Sequence, residues 1–247
     1  MSSGDGRPVL MPILGVGVHR YPQRGACLME LAAVLDGRVW TDHPGCTGPL
    51  LARLARGVND LSTVEGRAGL DPLAPWLVSP RAGPMSLSGD VAVLQALTAT
   101  APRPADPKTA AGTARVTPAP RQASRWQRLC WRRAATRLVL AHLRAVATAP
   151  AGPDRDAMLR DWLLAAVNAQ RTVEGREPLT DDACAWPLRP CSVPVRVRHF
   201  AVDEMNEVRV TADLDQWPDS LRVPWKQRRD ELAAGTYESA GSASSGW

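Results

Sequence analysis

The longest helical pattern in the chain runs from Arg125 to Thr148 and reads RWQRLCWRRAATRLVLAHLRAVAT. It contains no glycine or proline, and Ser124 stands directly before it as a suitable N-cap. Residues 154–170 carry a second helical pattern, with apolar residues along one stripe and two aspartates at its start. Because the connection between the two segments is short, the sequence predicts an antiparallel helical hairpin.

Helical spacing of apolar residues predicts three further helices in the first part of the chain. They cover residues 27–35, 50–59 and 90–100. We expect Gly37 to end the first of these helices, because glycine adopts the left-handed conformation of a helix C-terminus at little cost. We expect Thr47 to cap the second, because its hydroxyl can accept a backbone hydrogen bond.

The pattern changes in the last third of the chain. Apolar and basic residues alternate, as in Val195-Arg196-Val197-Arg198, and this period of two predicts a β-hairpin formed by residues 194–202 and 207–213. A short helix is expected over residues 225–234. Together these elements predict an α+β protein that is mostly α-helical.

Composition divides the chain into segments. Residues 102–123 are rich in proline and alanine, which is typical of a linker that buries little apolar surface. We therefore expect a small helical module over 20–101 and a second module over 124–235 that combines the helical hairpin, the β-hairpin and the short helix. The small polar residues of 236–247 predict a disordered tail.

Overall composition is that of a globular protein. The chain has 247 residues, of which 45% are apolar, and this excludes a wholly disordered chain, a collagen and a coiled-coil rod. No apolar run is long enough to cross a bilayer, and no segment resembles a signal peptide. The five cysteines are odd in number and widely spaced, which favours reduced thiols. We therefore expect a cytoplasmic protein with no membrane partner.

Positive charge is concentrated in one block. The formal net charge of the chain is +5, whereas residues 103–144 carry ten basic residues against the single acid Asp106, a net charge of +9. This block coincides with the linker and the long helix. Such a concentration of charge favours an anionic partner, although it does not identify one.

Four arginines fall on one face of the long helix if the helix extends back to residue 121. They are spaced at i, i+4, i+7 and i+11: Arg121, Arg125, Arg128 and Arg132. Two tryptophans lie among them, and three more arginines flank the stripe: Trp126, Trp131, Arg133, Arg137 and Arg144. A different face, containing Cys130 and Leu138, is expected to pack on the helix over 154–170.

This clustering is unfavourable in isolation. Like charges four residues apart repel by roughly a few tenths of a kcal/mol, and cations near a helix N-terminus oppose the helix dipole. Guanidinium groups bind phosphate and stack on bases, and tryptophan also stacks, so nucleic acid is the first candidate partner. Two alternatives stay open, namely an acidic protein surface and pairing with Asp154, Asp156 and Asp161 of the same chain.

A second candidate site lies within residues 25–60. These residues include GACLMEL at 25–31, WTDHPGCT at 40–47, PLL at 49–51 and VND at 58–60. The segment resembles the start of an uncharacterised bacterial family found in Arg- and Ala-rich proteomes, over about one seventh of the chain. The resemblance implies a recurring module and no activity.

Cys27, His43 and Cys46 are the candidate metal ligands in this segment. The His-x-x-Cys spacing lets an imidazole and a thiolate reach one ion, with Cys27 as a third ligand, and zinc is the metal that such ligands suit. Cys27 paired with His43 is also a candidate nucleophile, because a helix N-terminus stabilises a thiolate. The simplest alternative is that both cysteines are small buried residues.

A short internal repeat follows two of the predicted helices. VNDLSTVEGRAGL at 58–70 and VNAQRTVEGREPL at 167–179 agree at eight of thirteen positions. Either a duplicated unit or a common composition at helix ends explains this agreement.

No enzyme signature is complete. Gly15-Val16-Gly17 lacks the third glycine and the strand–helix context of a dinucleotide site, and no Walker or nucleophile-elbow motif is present. The sequence therefore favours a non-catalytic binding or regulatory protein whose arginine-rich helix contacts nucleic acid or an acidic protein. The alternative is a Cys/His metal-binding protein, in one version a zinc-dependent enzyme.

Overall fold

The computed structural model describes the side chains of residues 14–20, 25–79, 87–101, 124–180, 226–227 and 230–231. Its helices are α1 (Leu28–Leu35), α2 (Pro49–Leu61), α3 (Val64–Ala68), a 3-10 helix (Asp71–Leu77), α4 (Ser88–Thr100), α5 (Arg125–Ala147) and α6 (Pro153–Val173). The five helices predicted from periodicity are all present, with each end within three residues of its prediction. The two short helical segments, α3 and the 3-10 helix, were not predicted.

The predicted α+β class is wrong for the part of the chain whose side chains are described. That part contains helices and no strand. Backbone with strand geometry occurs at Val9–Met11, Val195–Val202 and Val208–Ala212, where the side chains are not among those described. The expected β-hairpin over 194–202 and 207–213 is therefore not shown as a packed part of the fold. Alternation of valine and arginine indicates extended backbone, but it does not supply a core for the apolar face to cover. The part of the chain with described side chains is therefore all-α.

Other predicted segments fall partly or wholly outside the described residues. Of the short helix expected over 225–234, residues 226–227 and 230–231 are described, and their backbone is helical. The expected linker at 102–123 and tail at 236–247 lie outside. Helices from both sides of residues 102–123 contribute to one hydrophobic core. The division into two modules remains a prediction.

Helix α2 lies at the centre of this core. It packs on α1, α4, α5 and α6, and its apolar stripe of Leu50, Leu54 and Val58 is buried. Gly57 marks its close approach to α5, because a Cβ atom there would lie 2.2 Å from Cδ1 of Leu143. The absence of a side chain at Gly57 lets the two helices pack at this distance.

Helices α5 and α6 have the predicted connectivity but different packing partners. They are joined by residues 148–152, and the rings of His142 and Trp162 meet edge to face with 6.2 Å between centroids. The most extensive packing of α5 is on α2, whereas that of α6 is on α4. The two helices are therefore not a hairpin held mainly by mutual contacts, because α2 and α4 cover much of their apolar surface.

Two predicted helix ends are confirmed. The hydroxyl of Ser124 accepts a hydrogen bond from the Gln127 N–H, and the Gln127 side chain accepts one from the Ser124 N–H, which forms a capping box at the start of α5. Gly37 has φ +66° just after α1, a conformation that glycine adopts without steric cost.

The start of α2 differs from its prediction. Its N-cap is Gly48, and the Thr47 hydroxyl instead donates to the carbonyl of Leu77 at 2.9 Å. The N–H of Leu50 donates to Oδ1 of Asp90, 3.1 Å away on α4. A carboxylate from another helix thus satisfies a backbone donor that sequence reasoning assigned to a local cap.

The two copies of the internal repeat have different conformations. Thr63 is the N-cap of α3, whereas Thr172 lies in the last turn of α6 and Gly175 follows with φ +75°.

In the described part of the chain, no helix is both long and apolar enough to cross a membrane.

Candidate anion-binding surface

Helix α5 turns one side to the core and the other to solvent. Trp131, Ala135, Leu138 and His142 are buried on the core side. Successive residues of an α-helix are about 100° apart, so Trp126, Arg133, Arg137 and Arg144, at i, i+7, i+11 and i+18, project within about 40° of one another. All four are exposed. We use the name α5 arginine face for the exposed arginines of this helix: Arg125, Arg133, Arg137 and Arg144.

The α5 arginine face carries charge that the described part of the chain does not neutralise. Helix α5 contains no aspartate or glutamate. Within the described residues, none of the four arginines forms an ion pair or a side-chain hydrogen bond. Trp126 and Leu129 lie on the same side and are 67% and 40% exposed. The surface therefore combines positive charge with an accessible aromatic ring.

The stripe predicted from i, i+4 spacing is not a single surface. Arg125 is exposed, Arg128 is half-buried and engaged within the chain, and Arg121 lies outside the described residues. Arg132 turns inward, and its Nε donates to Oδ2 of Asp90 at 2.8 Å. Trp131 is only 8% exposed. Arg125, Arg128 and Arg132 therefore lie about 100° to 160° around the helix axis from the centre of the exposed line.

The face expected to pack on α6 is also displaced. Its spacing predicts Cys130 on that face, but Cys130 is exposed. Trp131 and Ala135, one position further along in each turn, take its place in the core. The Trp131 ring is a larger apolar surface than the Cys130 thiol, so the helix rotates to bury it.

Arg132 pairs within the chain, as the intramolecular alternative predicts. Its partner is Asp90 of α4 and not one of the aspartates of α6. Asp90 is buried, and burial raises the pKa of its carboxyl, while the hydrogen bonds from the Leu50 N–H and from Arg132 act in the opposite direction. Arg132 thus offsets the cost of a buried carboxylate. Its role is to join α5 to α4.

The aspartates of α6 do not pair with the α5 arginine face. Asp156 accepts a hydrogen bond from the Thr63 N–H at 2.9 Å and another from the Thr63 hydroxyl. Asp154 and Asp161 are exposed and form no ion pair within the described residues. These acids therefore leave the charge of the face available.

Cys27 belongs to the structure of the α1 N-terminus. Its sulfur accepts a hydrogen bond from the Glu30 N–H at 3.4 Å, and the Glu30 carboxylate accepts from the Cys27 N–H at 2.7 Å. The same carboxylate contacts Nδ1 of His19 at 3.0 Å. Burial and the nearby Glu30 charge raise the pKa of Cys27 to about 12. This thiol remains protonated at neutral pH, unlike an activated nucleophile.

His43 and Cys46 lie in different surroundings. The His43 side chain is 65% exposed, and its Nδ1 lies 2.6 Å from Oδ1 of Asp42. Cys46 is buried beside Thr47, and burial is the main cause that raises its pKa to about 12. In the described residues, no group of three His, Cys, Asp or Glu side chains is placed to hold a metal ion. The zinc site expected from Cys27, His43 and Cys46 therefore has no geometric support.

A cavity of about 450 Å³ at the C-terminal end of α6 also contains arginines, which sequence reasoning did not single out. Both terminal nitrogens of Arg171 bond the Glu231 carboxylate, its Nε donates to the Glu177 carbonyl, and its guanidinium lies 4.6 Å from the ring centroid of Trp76. The charge of Arg171 is thus met within the chain. The cavity offers less available positive charge than the α5 arginine face.

Comparison with protein-family models, with curated proteins and with solved structures finds no match to this chain. The resemblance noted over residues 25–60 therefore stays a prediction.

Proposed function

We propose that this protein is a non-catalytic binding or regulatory protein whose α5 arginine face contacts an anionic partner, and that this partner is nucleic acid. The observation that carries the proposal is the exposed line of Arg133, Arg137 and Arg144, on a helix without acidic residues. A partner that brings negative charge to this line relieves repulsion that the described part of the chain leaves uncompensated.

The spacing and chemistry of the line support a phosphate partner. Arg133 and Arg137 are four residues apart and repel by roughly 0.2–0.5 kcal/mol. Guanidinium groups bind phosphate oxygens through two parallel hydrogen bonds, a geometry that lysine does not offer. From Trp126 to Arg144 the helix rises by about 27 Å, which is long enough for these arginines to contact several phosphates of one partner.

The thiols support a reducing compartment as part of this proposal. Cys27, Cys46 and Cys130 are free cysteines. Free thiols are typical of proteins in the cytoplasm. We accordingly place the binding function there.

The test is fluorescence anisotropy with labelled 20-residue DNA and RNA at about 50 and 200 mM salt. If the four arginines each neutralise one phosphate, the slope of log K against log salt is about −3 and affinity falls roughly 50-fold between the two conditions. Arg137→Glu should weaken binding at low salt by about tenfold or more, because it removes one phosphate contact and adds a repulsive charge.

Two matched variants control this test. Arg137→Lys keeps the charge, and Arg38→Glu makes the same charge change at an exposed arginine that bonds Asp36 after α1. Arg38→Glu should bind nearly as the wild-type protein does, and Arg137→Lys should lose much less affinity than Arg137→Glu. The proposal is overturned if the wild-type protein binds no 20-mer at 50 mM salt, or if Arg137→Glu and Arg38→Glu weaken binding equally. The first of these outcomes would make an acidic protein the remaining class of partner.

A further inference from the structure

We infer that the α5 arginine face recognises single-stranded nucleic acid, with Trp126 as the platform on which one base stacks; the inference rests on the proposed function. Trp126 is 67% exposed, and within the described residues its ring makes no aromatic, cation–π or hydrogen-bond contact. The other tryptophan of α5, Trp131, is 8% exposed. Only Trp126 of this pair therefore presents an accessible ring.

The position of the ring relates it to the charges. Trp126 and Arg133 lie on the same line of the helix, separated by seven residues and therefore by about 10 Å along the axis. Arg137 continues the line one turn further on, and Arg125 is adjacent to Trp126 in sequence. A strand whose base lies on Trp126 can thus place neighbouring phosphates over Arg133 and Arg137.

The exposed ring of Trp126 favours a single strand over the other anionic partners. In a duplex the faces of the bases are stacked on one another, and only their edges and the phosphates are accessible. An acidic protein surface or a duplex would meet the arginines and leave the ring of Trp126 in water. A single strand satisfies both features, because its bases offer faces for stacking and its phosphates offer charge.

The test compares two single-stranded probes and one duplex. The first probe is a 20-residue oligothymidine, the second is an abasic 20-mer with the same number of phosphates, and the third is a 20-base-pair duplex. We expect the wild-type protein to bind oligothymidine about tenfold more tightly than the abasic strand, since stacking of one base on an aromatic ring has an effect of this order. The duplex should bind no more tightly than the abasic strand.

Variants assign this difference to the ring. Trp126→Ala should lose the preference for oligothymidine and keep the affinity for the abasic strand, whereas Trp126→Phe should keep most of the preference. Leu129→Ala, which truncates a neighbouring exposed apolar side chain on the same side of α5, should leave the preference unchanged. Circular dichroism of each variant establishes that the fold is retained, as is expected at exposed positions.

The outcomes separate the two proposals. Equal binding of both single strands by the wild-type protein overturns stacking but leaves the charge-based proposal standing. Tighter binding of the duplex, or an equal loss of both single strands in Trp126→Ala, also overturns the inference. Absence of binding to every probe at low salt overturns the proposed function itself.

Discussion

Arg132 and Asp90 form an ion pair that joins α5 to α4, with 2.8 Å between Nε of the arginine and Oδ2 of the aspartate. The Asp90 side chain is 2% exposed and that of Arg132 is 19% exposed. The pair shows how the arginines of one helix divide into two groups. Arg132 stabilises the packing of the chain, whereas its neighbour Arg133 points to solvent.

The first prediction compares these neighbours. Arg132→Met should lower the free energy of unfolding by about 3 kcal/mol, because it leaves the Asp90 carboxylate buried without its cation. Arg133→Met makes the same chemical change on the exposed side of the helix and should alter stability by less than about 0.5 kcal/mol. Urea denaturation of both variants measures the difference. Equal losses would show that the ion pair does not contribute.

The second prediction concerns Asp71, at the start of the 3-10 helix. Burial raises its pKa from the ordinary value of 3.8 to about 8, and Oδ1 has no hydrogen-bond partner within the described residues. Between these two pKa values, the folded protein therefore holds a proton on Asp71 that the unfolded chain loses. The resulting stability is fully present below about pH 4, declines as the pH rises, and levels off above about pH 8.

Asp71→Asn should remove this part of the pH dependence. We expect the stability of the variant relative to the wild-type protein to increase steadily between pH 4 and pH 8. Urea denaturation at a series of pH values measures it, and subtraction of the two curves cancels the titration of other groups. A difference that is constant over this range contradicts a raised pKa at Asp71.

The third prediction tests a cap supplied from another helix. Asp156 accepts the Thr63 N–H at the start of α3, and a Cβ atom at Gly66 would lie 2.3 Å from its Cγ. Asp156→Ala should lower stability by about 1 kcal/mol, as loss of an N-cap acceptor does. Asp154→Ala removes an acid from the same turn of α6 without that contact and should cost only a few tenths of a kcal/mol. Similar losses in thermal denaturation of the two variants would rule out a specific cap.

The fourth prediction concerns thiol reactivity. At pH 8 iodoacetamide should label the exposed Cys130 and leave Cys27 and Cys46 unlabelled until denaturant is added, because both are buried and their pKa values are raised to about 12. Mass spectrometry of the digested protein identifies each labelled peptide. Labelling of Cys27 as fast as Cys130 would support the nucleophile alternative.

Helix positions were largely predictable from the sequence because they depend on local features. Helical periodicity located α1, α2, α4, α5 and α6, and the Ser124 cap and the Gly37 stop were both found. The 3-10 helix was missed because Pro72 and Pro75 suppress a helical signal there. The prediction of Thr47 as the cap of α2 is wrong, because the Leu50 N–H that it was expected to satisfy donates to Asp90 of α4 instead.

The sequence by itself determined that a long arginine-rich helix without acids begins after Ser124, since capping and periodicity act within a few residues. Only the tertiary structure decided which arginines are available. Burial of Trp131 and the Arg132–Asp90 pair set the rotation of α5 about its axis, and this rotation exposes Trp126, Arg133 and Arg137. Spacing alone defines which residues share a face, but the direction of that face depends on contacts with α2 and α4, which are distant in sequence.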